Sequence, residues 1–181
     1  MAKLRKFVCY RAMERPYTRF SKYKKLSYVR SRPVCKIVRF NMGDQAKTFE
    51  CVMHLVPKTA LQIRDNAIEA MRQYLHRFLT ELVGKDYYFE IKPVPHHILR
   101  ENRMITGAGA DRMQTGMALS FGVAMSRAAL VKAGKMLFVV AVMNPRHEEI
   151  ARTLIYSCKT KLPCKIHLET VRKSKYFSYT K

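Results

Sequence analysis

Residues 59–84, TALQIRDNAIEAMRQYLHRFLTELVG, decide the fold, because this stretch carries the clearest helical period in the chain. Ile68, Met71, Leu75, Phe78, Leu79 and Leu82 recur at intervals of three and four, which places them on one side of an α-helix. Thr59-Ala60-Leu61-Gln62 has the spacing of a capping box, so the sequence predicts a helix start there, and Gly84 closes the segment. A helix with one apolar stripe needs a sheet to cover it.

The flanks supply that sheet. Residues 36–40 (KIVRF) and 50–56 (ECVMHLV) read as an antiparallel strand pair around the turn-like Asn41-Met42-Gly43-Asp44. Tyr87, Phe89 and Ile91 alternate with Tyr88, Glu90 and Lys92 in a third strand, which Pro93-Val94-Pro95 ends by withholding amide hydrogens. Residues 136–142 (MLFVVAV) read as a buried strand, and residues 163–169 (PCKIHLE) as a last one. Between these two, Asn144-Pro145 opens a second helix, with Glu148 and Glu149 near its positive end and Ile150, Leu154 and Cys158 on one face. Residues 117–131 are small and apolar without a clear period, and their state stays open. The resulting fold class is α+β: a two-layer sandwich of a mostly antiparallel sheet with two helices on one side.

Charge divides the chain more sharply than hydropathy does. Of the net +22, residues 1–39 hold +12, with thirteen Lys/Arg against Glu14 alone. The last eleven residues carry four cations and no acid, which leaves +6 for the 131 residues between. The expected organisation is therefore a basic arm over 1–35, a globular domain over 36–170 and a basic tail over 171–181. In the arm, Tyr10, Tyr17, Phe20, Tyr23 and Tyr28 interleave with the cations, giving rings to stack on bases beside groups that pair with phosphate. No apolar helical face accompanies this charge, which argues against a membrane-surface role. No run approaches a membrane span or a signal-peptide core, and a cytosolic protein is expected. The five cysteines show no C-x-x-C pair, so neither zinc nor a disulfide framework is expected, and Cys158 and Cys164 read as ordinary buried thiols.

The remaining stretch, residues 95–117 (PHHILRENRMITGAGADRMQTGM), reads as a long projecting loop, bounded at 96 and 118. Arg100, Arg103 and Arg112 flank Gly107-Ala108-Gly109-Ala110, where small residues permit close approach of backbone to another molecule. Guanidinium groups suit phosphate pairing and stacking on bases, with His96 and His97 anchoring the base of the loop. A solvated surface loop is the plain alternative. An enzyme using His96, His97, Glu101 and Asp111 is another, although HHILRE is not a metal-binding H-E-x-x-H. A free, non-specific nucleic-acid compactor is a third, but it leaves so defined a loop without a purpose.

The same stretch, followed by Ser-Phe-Gly at 120–122, resembles the central signature of the large-subunit ribosomal protein family called ten-e in archaea and eukaryotes, the counterpart of bacterial protein sixteen. The likeness extends through Arg15-Pro16-Tyr17-Thr18-Arg19, residues 62–70 (QIRDNAIEA) and Lys161-Leu162-Pro163-Cys164. It implies an α/β-hammerhead-like fold and a non-enzymatic role in translation, without metal or cofactor, in the cytoplasmic large subunit. It further implies contact with large-subunit rRNA, nearby 5S rRNA, neighbouring ribosomal proteins and assembly factors. By the resemblance, Lys3, Arg5, Lys6, Arg11, Arg15, Tyr17, Arg19, Lys22, Lys24, Lys25, Arg64, His96, His97, Arg100 and Asn102 face rRNA. Arg103, Met104, Thr106, Gly107, Gly109, Asp111, Arg112 and Gln114 would point toward aminoacyl-site tRNA near the peptidyl-transferase centre. The chain departs from the family where Ala118 replaces an arginine and Val123-Ala124-Met125-Ser126 replace a Lys-Pro and glycine turn. A cation and a turn are missing there, so a more helical path is expected, with Arg127 and Lys132 as replacement cations.

Overall fold

The computed structural model describes residues 4–14, 16–18, 23, 25, 32–102 and 122–172. Two antiparallel sheets and two helices are arranged in it, so the single sheet expected from sequence is in fact split. The five-stranded sheet has the order β1-β4-β7-β2-β8, formed by β1 (Asn41–Gly43), β4 (Tyr87–Ile91), β7 (Phe138–Val142), β2 (Cys51–Pro57) and β8 (Ile166–Arg172). The three-stranded sheet has the order β3-β6-β5, from β3 (Leu61–Arg64), β6 (Val123–Val131) and β5 (His97–Glu101). Helix α1 (Asp65–Leu82) and helix α2 (Pro145–Ser157) pack together above the larger sheet.

One apolar core joins these parts. Ile68, Met71, Leu75 and Leu79 of α1 are fully buried, as the three-and-four spacing requires. They meet Met53, Leu55, Phe89, Phe138 and Val140 of the larger sheet and Leu61, Ile63, Ala129 and Val131 of the smaller one. Phe89 and Phe138 stack with ring centres 5.6 Å apart. Leu154, Ile155, Ala151 and Cys158 seal the α2 side, and burial pushes the Cys158 thiol up to about 12. Cys158 and Cys164 are separate thiols, Cys164 only half-buried and Cys9 exposed.

Several expected boundaries move. Residues 36–39 form no strand, while the supposed turn at Asn41 to Gly43 is β1, paired with β4 and not with β2. The amides of Lys36 and Val38 donate instead to carboxylates of α1: Lys36 N to Asp65 Oδ2 at 3.3 Å and Val38 N to Glu69 Oε2 at 3.3 Å. Two acids one helical turn apart thus bind alternate amides of an extended chain, as a neighbouring strand would. Glu69 also accepts two bonds from Arg72, at 2.8 and 2.7 Å, and the Arg72 guanidinium holds its carboxyl below the usual carboxylate range.

The capping box at 59–62 is not used, because Leu61 and Ile63 enter β3 and the helix begins only at Asp65. Asp65 takes over the helix start by accepting from the Asn66 amide at 2.8 Å and from Ser126 Oγ at 2.9 Å. At α2, proline occupies the first turn as expected, but the Asn144 side chain makes no capping bond. The segment 97–101, expected inside the loop, is β5, and the open region 117–131 contains β6. Val123 to Ser126 therefore run as strand and not toward helix. Strand β8 begins and ends three residues later than expected and reaches into the supposed tail.

Candidate nucleic-acid interface

One face of the three-stranded sheet lies in the common core, and the N-terminal segment covers the other. Leu4, Tyr10, Leu99 and Ala128 form a small apolar cluster there, with Tyr10, Leu99 and Ala128 buried. A short 3-10 turn at Phe7–Tyr10 aims Tyr10 at the sheet. Its hydroxyl donates to Glu101 Oε1, which also accepts from Arg5 Nε at 3.0 Å, while the Arg5 amide donates to Tyr10 Oη at 3.1 Å. Burial, and then the neighbouring carboxylate, raise the Tyr10 hydroxyl pKa, so that the phenol stays a donor. Arg64 completes the arrangement by lying 5.8 Å from the Phe7 ring centre and 5.9 Å from that of Tyr10.

A second fastening holds residue 17. The Tyr17 amide donates to His97 Nδ1 at 2.9 Å, and the Ile98 amide donates to the Tyr17 carbonyl at 3.2 Å. Tyr17 is thereby held at the edge of β5 by one backbone bond and one side-chain bond. An accepting Nδ1 puts the His97 proton on Nε2, and burial depresses the imidazole pKa below its ordinary value. The guanidinium of Arg100 sits 3.7 Å from the Tyr17 ring centre, close stacking of a cation on an aromatic face.

These contacts locate the sequence-predicted residues in two groups. Arg5, Tyr17, Arg64, His97 and Arg100 converge on one seam between the N-terminal segment and the small sheet. Lys6, Arg11, Lys25 and His96 are exposed, and Asn102 is half-buried just past β5. Lys3, Arg15, Arg19, Lys22 and Lys24 lie outside the described residues, as do Arg103, Met104, Thr106, Gly107, Gly109, Asp111, Arg112 and Gln114. Ala118 lies outside them too. Arg127, expected to replace a lost cation, donates through Nε to the Pro33 carbonyl at 2.6 Å.

Sequence reading passed over Glu101 as an organising residue, since a lone acid in a basic region looks like a candidate catalyst. The Glu101 carboxylate is held by Tyr10 and Arg5, and His97 Nδ1 by Tyr17, so this pair fastens the N-terminal segment. Among the described residues no group of three or more His, Cys, Asp and Glu is placed to hold a metal ion. What the seam can do is set rings and guanidinium planes rigidly at the root of residues 103–121.

A family model described as ribosomal protein L16p/L10e matches residues 15–169. The chain belongs to the ribosomal protein L16p/L10e family. That membership makes it a ribosomal protein and not an enzyme, in agreement with the resemblance read from residues 95–122. Relatives named large ribosomal subunit protein uL16 bear this out. The one from Thermofilum pendens is 39% identical over 156 residues, covering 86% of this chain and 89% of the relative. That of Caldivirga maquilingensis is 38% identical over 176 residues, with 94% and 97% covered. In Methanococcus maripaludis the figures are 40% over 166 residues, with 90% and 92% covered. An L16p/L10e chain thus spans nearly the full length of these relatives, including both sheets and both helices.

Proposed function

We propose that this chain is a structural constituent of the large subunit of cytoplasmic ribosomes. Its N-terminal segment binds large-subunit rRNA, and residues 103–114 approach aminoacyl-site tRNA near the peptidyl-transferase centre. The observation that carries the reading is the match to the L16p/L10e family across residues 15–169, in a chain whose +22 charge concentrates outside the globular part. Cations neutralise converging phosphates so that RNA helices lie side by side, and stacked rings add contacts that tolerate any base. Neighbouring ribosomal proteins, nearby 5S rRNA and assembly factors complete the expected partners. The docked seam gives the reading a mechanical basis, because Arg100 and His97 stand on a sheet at the entrance to the signature stretch.

The test is photochemical. Ultraviolet cross-linking in growing cells is expected to join peptides containing Arg103 or Arg112 to RNA of the peptidyl-transferase region. A chain shortened between Thr106 and Asp111 is expected to fold and enter subunits yet slow tRNA accommodation. Normal accommodation in ribosomes carrying the shortened chain contradicts the role given to this stretch.

A further inference from the structure

Between the end of β4 and the middle of β6 lies a cleft of about 770 Å³ whose rim carries Arg32, Lys92, Arg127 and Lys135. These four cations come from four separate stretches of sequence, and among the described residues no carboxylate lines the cleft. Glu90 Oε1 lies 2.6 Å from the Lys92 ammonium. The floor is apolar: Pro93, Val94, Pro95 and Leu130 line it, and Val94 is 46% exposed. Pro93 and Pro95 carry no amide hydrogen and are themselves buried, so Val94 is the exposed residue of that strip. Arg127 is set in place by its bond to the Pro33 carbonyl, which fixes the guanidinium plane before any ligand arrives.

We propose that this cleft takes one or two unpaired nucleotides of an RNA strand, their phosphates against Arg127, Lys135 and Lys92 and a base against the strip at Val94. The volume falls within the range of sites for molecules of nucleotide size and admits no duplex. A rim of cations over an apolar floor matches the alternation of phosphate and ring along a single strand, whereas an acidic peptide offers charge without rings. Thr18, His96 and His97 also line the cleft, while the apolar strip stacks on any base alike. The choice of RNA rests on the ribosomal reading above; the cleft itself does not.

The full-length chain is titrated with a fluorescent twelve-nucleotide uridine oligomer and with a polyglutamate peptide over a range of salt. Lys92→Gln/Lys135→Gln is expected to weaken oligomer binding about tenfold and to make the salt slope shallower by about 1.4, or about 0.7 for each phosphate no longer neutralised. The control Lys85→Gln/Lys159→Gln removes equal charge away from the cleft and is expected to change the affinity less than twofold. Equal weakening in both variants overturns the proposal, and so does polyglutamate binding more tightly than the oligomer. Nucleotide adducts are then mapped after ultraviolet irradiation of whole ribosomes and of the chain with the oligomer. Adducts on residues 92–98 or 127–135 support the site, and adducts confined to other peptides contradict it. If the chain is absent from large subunits while the oligomer result holds, the ribosomal reading fails and the cleft stands.

Discussion

His97 shows how one side chain joins the sequence signature to the fold. Its neutral ring accepts the Tyr17 amide, and burial is the main reason that its pKa lies below the ordinary 6.5; Arg100 also lowers it, and Glu14 opposes the shift. A group whose folded pKa is depressed contributes stability that is complete above its unfolded value and is lost as the pH falls through the folded one. The fastening of Tyr17 should therefore be intact at pH 7.5 and weaken progressively below 6.5. Amide exchange protection at Tyr17 is expected to fall about fivefold across that window, the equivalent of one hydrogen bond of about 1 kcal/mol. His97→Phe, which keeps a ring but lacks the acceptor, should show low protection at every pH. Protection that ignores pH in the native chain contradicts the assigned bond.

At the scale of elements, what the sequence reveals depends on whether the partner of a residue lies nearby in the chain. Tyr87 to Ile91, β7 and α1 were legible because the composition or period that marks each one lies within the element itself. Residues 36–40 misled because KIVRF has strand composition, yet its amides bond to Asp65 and Glu69, which no local pattern announces. β5 was hidden by its charged ends, and β6 by small residues whose period is weak. Gly43 misled in the opposite sense: Asn41-Met42-Gly43-Asp44 has turn composition, but Gly43, at φ +83°, sits in β1 opposite Tyr88 of β4. A Cβ there would lie 2.2 Å from the Tyr87 carbonyl oxygen, whereas Gly84, at φ +79°, has nothing within 4 Å. Gly43→Ala is expected to cost about 2–4 kcal/mol and Gly84→Ala about 1 kcal/mol, since only the first adds a backbone clash to the left-handed strain. Urea denaturation of both variants checks the pair, and equal destabilisation would contradict the close approach of Gly43 to the Tyr87 carbonyl.

Over the whole molecule, two sheets divide the work. The larger sheet, the two helices and the inner face of the smaller sheet form the core, while the smaller sheet's outer face holds the N-terminal segment and supports the start of the signature stretch. The family was legible from residues 95–122 alone, because a signature that long is specific. The seam was not, since it depends on Tyr10, Glu101 and Arg64 meeting across some 90 residues of sequence. This charge and this seam serve, in the proposed function, a place in the large ribosomal subunit. Sedimentation of the tagged chain from lysate at moderate salt, with sequencing of the RNA that travels with it, tests that most directly. Recovery with large subunits and their rRNA is the predicted result; recovery in free fractions with mixed RNA, while the other large-subunit proteins sediment normally, would contradict it.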